Sequence, residues 1–85
     1  MKYFLTKVKD VKDYVIQRLQ DNETMSIHQL SQEGLDIIPK WHKPRYSLST
    51  LRKALRELRQ EGRIDWFPEW YGRNKGYTRI YRFIK

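Results

Sequence analysis

Eighty-five residues, 39% hydrophobic and 33% charged, are expected to form one small domain (1–85) with a modest core. No run reaches the roughly 20 apolar residues of a membrane span, and the closely charged start MKYFLTKVKDVKDY is unlike a secretory signal. With no cysteine, disulfides and thiolate zinc sites are excluded, so a cytoplasmic setting is expected (nucleoid-associated, or the interior of a host cell).

The net charge of +8 is unevenly placed. Residues 1–39 carry five Lys/Arg against six Asp/Glu, whereas residues 40–85 carry thirteen against four. The second half is therefore expected to meet an anionic partner.

In chain order, the first helix is predicted in TKVKDVKDYVIQRLQ, where Val8, Val11, Val15 and Leu19 share one face. Thr6 is its candidate N-cap and QDNE its breaker. The second helix is predicted in MSIHQLSQEG. Ser26 and Gln29 have capping-box spacing, Met25 and Leu30 staple spacing, and Gly34 stands where a C-terminal glycine belongs. The segment GLDIIPKWHKPRY is too rich in Pro and Gly for a regular helix. Leu35, Ile37 and Ile38 are expected in the core, with Lys40, Lys43 and Arg45 in water.

The third helix is predicted over about 48–61, with Ser47 as cap and Tyr46 and Leu51 as staple. Leu48, Leu51, Ala54, Leu55 and Leu58 form its apolar stripe, and Gly62 ends it. From Ser47 to Ile64 there are four arginines and one lysine against two glutamates. At about 100° per residue, Arg52, Arg56 and Arg59 fall on one ridge away from the leucines. Glu57 is placed to pair with Lys53 at i, i+4.

After Gly62 the period changes to alternation, and RIDWFPEWY, GRNKG and YTRIYRFIK predict a hairpin over about 63–84. Pro68 belongs at a strand end, edge or bulge. Seven of the twelve aromatics lie beyond residue 63, and sheet packing is their favoured role.

Three helices followed by a hairpin, with STLRKALRELRQEGRI entering it, resemble the winged helix-turn-helix family over about Val8 to Phe83. The resemblance implies an α+β fold, three helices and a two-stranded β-hairpin wing. It also implies sequence-specific binding of double-stranded DNA by a small transcriptional regulator, with the third helix in the major groove. Ser49, Arg52, Lys53 and Arg56 are then the DNA-facing positions, and Arg59 and Arg63 meet phosphate. Arg73, Asn74 and Lys75 at the wing tip, with Lys43 and Arg45, would contact flanking backbone. The family usually joins its second and third helices by a short turn. Here residues 34–47 intervene, as an added helical turn or an inserted loop.

Two other functions stay open. One is a protein adaptor anchored on Trp41, Trp66 or Trp70. The other is RNA or single-strand binding by the aromatic hairpin. No enzyme is expected, since neither phosphate-loop nor nucleophile-elbow motifs occur and His28, His42, Asp65 and Glu69 form no constellation. No metal or cofactor is implied. The apolar start MKYFL would pack on its own sheet or on a second subunit, leaving a homodimer open.

Overall fold

A computed structural model describes residues 3–38, 43–72 and 75–84. Three helices stand against a three-stranded antiparallel sheet, with a separate two-stranded ladder between the second and third helices. This is a small α+β fold.

Helix α1 (Val8–Asp21) buries Val11, Val15, Ile16 and Leu19. Its cap is Lys7 rather than Thr6, and no side chain accepts a bond there. Strand β1 (Thr24–Ser26) was not expected. It pairs Thr24, Met25 and Ser26 with Arg82, Tyr81 and Ile80. Three residues are too few to display an alternating pattern, and the partner strand lies at the far end of the chain.

Helix α2 (Ile27–Leu35) opens with the full capping box. Ser26 Oγ accepts from Gln29 N at 3.0 Å, and Gln29 Oε1 accepts from Ser26 N at 2.8 Å. Gly34 does not terminate this helix as expected; it is buried inside it. A Cβ at that position would collide with the Tyr46 ring. Tyr46 N–H donates to Gly34 O at 3.1 Å, and its hydroxyl donates to Leu30 O at 2.6 Å. Glycine is present for close approach rather than for a turn.

The described residues of the 34–47 segment hold neither an added helical turn nor a plain loop. Strands β2 (Ile37–Ile38) and β3 (Lys43–Pro44) pair antiparallel. The expected burial of Leu35, Ile37 and Ile38 is not seen. Leu35 is 58% and Ile37 62% exposed, and Ile38 is half-buried. From this segment it is Tyr46 that enters the core, against Gly34 of α2. The backbone N–H groups of Phe4 and Leu5 donate to Pro44 and Arg45 carbonyls at 2.8 and 2.6 Å. That part of MKYFL thus docks on its own chain.

Helix α3 (Leu48–Gln60) is capped by Ser47 Oγ, which accepts from Thr50 N at 3.2 Å. Leu51, Ala54, Leu55 and Leu58 are buried as predicted, but Leu48, in the first turn, is exposed. Gly62, at φ 74°, closes the helix. Its N–H donates to Arg59 O and the Arg63 N–H to Leu58 O, the paired bonds of a Schellman motif. Strands β4 (Ile64–Trp70) and β5 (Tyr77–Phe83) then pair in register from Ile64↔Phe83 to Trp70↔Tyr77. The sheet order is β1-β5-β4, which puts Pro68 on an edge strand.

Two outcomes follow from the Tyr46 packing. Gly34→Ala forces α2 and Tyr46 apart and should cost about 1–3 kcal/mol in a urea titration. Burial also pushes the Tyr46 phenol pKa above its usual value, so the folded state holds that proton more tightly. Stability is then full below the free phenol pKa of about 10 and falls as pH rises beyond it. Tyr46→Phe should lose about 1 kcal/mol at pH 7 and show a shallower alkaline decline; an unchanged decline would exclude Tyr46 as its source.

Candidate nucleic-acid interface

With four of its apolar residues buried, α3 must turn its other side to solvent, and Arg52, Lys53, Arg56 and Arg59 are all exposed. The hairpin rises beside this face. Alternation places Trp66, Pro68 and Trp70 of β4 on one side of the sheet with Tyr77, Arg79 and Tyr81 of β5. Between this side and α3 runs an open groove of about 560 Å³. Arg52, Arg56 and Arg59 form one wall, Trp66, Tyr77, Thr78, Arg79 and Tyr81 the other, and Ile27 and His28 close one end. No carboxylate lines it.

Two of the four groove arginines pack on one aromatic ring. The Arg59 and Arg79 guanidinium carbons lie 5.2 and 4.7 Å from the Trp66 ring centre, within cation–π range. Hydrogen bonding to Tyr81 is the largest influence raising the Arg79 pKa. Trp66 and Tyr77 are parallel to within 3° at 6.3 Å, and Trp70 tilts onto Tyr77 at 4.9 Å. Trp66 Nε1 and Thr78 Oγ1 are buried without a hydrogen-bond partner, each at a cost of about 1–3 kcal/mol.

Glu33, Glu57 and Glu61 are engaged elsewhere. Lys12 of α1 binds Glu61 and lies 3.6 Å from Glu57, so Glu57 pairs across helices and not with Lys53. Glu33 binds Arg18 at 2.8 Å and accepts from the Tyr14 hydroxyl at 3.1 Å.

The expected binding residues are therefore only partly gathered. Arg52, Arg56 and Arg59 share the groove. Lys53 and Ser49 are exposed on α3 outside it, and Ser49 Oγ lies 3.1 Å from the capping Ser47 Oγ. Arg63 is exposed, 3.8 Å from Glu61. Lys75 is exposed at the end of the hairpin and Lys43 on β3. Arg45 is not in open water as expected. It is half-buried, donates to Glu33 O at 3.0 Å, and lies 3.7 Å from Asp36 and 5.8 Å from the Tyr14 ring centre. It braces the end of α2. Arg73, Asn74, Lys40, Trp41 and His42 lie outside the described residues.

The aromatics divide. Tyr81 is buried, and Trp66 and Phe83 pack on the core, as sheet packing requires. Phe67, Trp70, Tyr71 and Tyr77 are exposed on the outer half of the hairpin. Arg79, Thr78 and Tyr77 were missed as groove residues, although pairing the two hairpin strands in sequence would have set Arg79 opposite Pro68, beside both tryptophans.

Among the described residues there is no cluster of three His, Asp or Glu placed to hold a metal ion, and no helix long and apolar enough to cross a membrane. Compared with known proteins, the chain matches no family model, and no curated protein or solved structure is significantly similar to it.

Proposed function

We propose that the protein binds double-stranded DNA in a sequence-specific manner and acts as a small transcriptional regulator. In this reading it is a winged helix-turn-helix domain. Helix α3 enters the major groove and the hairpin lies along flanking DNA. The observation that carries the reading is the exposed ridge of Arg52, Arg56 and Arg59, joined by Arg79 in a groove free of carboxylates.

The dimensions support it. Seven residues of helix rise about 10 Å, and a helix with its side chains is about 10–12 Å across, close to the width of the major groove. Arginine's fork can take both acceptors of a guanine or two phosphate oxygens. Lys53 and Lys75 add cations on the same helix and at the hairpin end. The element order, three helices and then a hairpin, supports the family resemblance. A protein partner on exposed Trp70 is the rival reading, but it leaves the arginine ridge without a role.

Gel shifts over a salt series test this. Five or so phosphate contacts predict a log K against log salt slope near −4.5, at about −0.9 per contact. Arg52→Ala and Arg56→Ala should each cost about 1–3 kcal/mol and relax sequence preference, whereas Lys75→Ala should weaken all duplexes alike. Undiminished binding by the Arg52/Arg56 double alanine, or no duplex binding at low salt, would sink the reading.

A further inference from the structure

The groove is the wrong size for a duplex and the right size for one strand. A double helix is too broad to lie between α3 and the hairpin, whereas a volume of about 560 Å³ suits a nucleotide unit or two. The walls also carry chemistry that paired bases do not need. Tyr77 of the wall is 44% exposed, and Trp70, 65% exposed just outside the groove, meets its ring at 4.9 Å with a tilt of 54°, so two aromatic faces stand open beside the arginines. Within a duplex the faces of the bases are already stacked on each other. An exposed aromatic platform therefore rewards bases that are unpaired.

A second observation points the same way. The guanidinium groups of Arg59 and Arg79 are held on Trp66, poised over the groove.

We propose that the groove between α3 and the hairpin holds an unpaired DNA strand, its phosphates on Arg59 and Arg79 and its bases on Trp70 and Tyr77, while Arg52 and Arg56 remain for the duplex. Resting on the duplex reading above, this names the ligand class as a duplex with a single-stranded extension.

The test uses the full chain and three probes: a blunt duplex, the same duplex with a short thymine extension at either end, and the extension alone. Binding is followed by anisotropy, and 2-aminopurine in the extension reports stacking. The extended duplex should bind about tenfold or more tightly than the blunt one, with quenched 2-aminopurine. The ratio should fall to near one in a Trp70→Ala/Tyr77→Ala variant and survive in Trp70→Phe/Tyr77→Phe, since the ring and not the hydroxyl stacks. Circular dichroism checks that these surface variants fold. A wild-type ratio near one, or a ratio that persists in the double alanine, overturns the inference and leaves the duplex reading intact. If the extension alone binds as tightly as the extended duplex, the groove assignment stands and the duplex reading fails. Failure to bind any of the three overturns both.

Discussion

The joint between α2 and the entry of α3 depends on a tyrosine ring laid over a glycine. Tyr46 is buried across Gly34, bonded to the carbonyls of Gly34 and Leu30, and followed at once by the cap of α3. One side chain therefore joins α2 to the entry of α3. Any larger residue at position 34 would push the ring outward and α3 with it. Because Ile27 and His28 at the start of α2 close one end of the groove, this internal contact also sets the groove's shape.

Charge is sorted by the same packing. The carboxylates of α3 are drawn to Lys12 on α1, behind the helix, and Glu33 is held by Arg18 and Tyr14. None of these acids turns back to neutralise the arginine ridge. Such exposed ion pairs contribute little stability individually. Their larger effect is on the field, since they leave the arginine-lined groove without a carboxylate.

Much of this was legible in the sequence, where the physics is local. The Ser26–Gln29 box, the Ser47 cap, the leucine stripe of α3 and the change of period at Gly62 each depend on residues within a turn or two of one another. So does the arginine ridge. What could not be read depends on distant partners. Strand β1 exists because Tyr81 lies beside Met25. Gly34 looks like a helix end until Tyr46 is placed on it. Arg45 looks solvated until the end of α2 comes to meet it. The groove required both the helix period and the strand register, and only the first was followed through to its side chains. The exposure of Leu35 and Ile37 had no signal at all, since their hydrophobicity argues for the opposite.

The proline on the outer strand has a further effect, on self-association. A sheet grows by adding chains to bare edges, and each added strand needs a run of free donors and acceptors. Here one border is β4, where Pro68 removes a donor mid-strand, and the other is β1 beside Ile80–Arg82 followed by the short bare stretch Tyr77–Arg79 of β5. Both borders are poor templates. The aromatic outer hairpin can therefore stay uncovered for a ligand without becoming a seed for fibrils, a risk that so many bare rings on an open ribbon would otherwise carry.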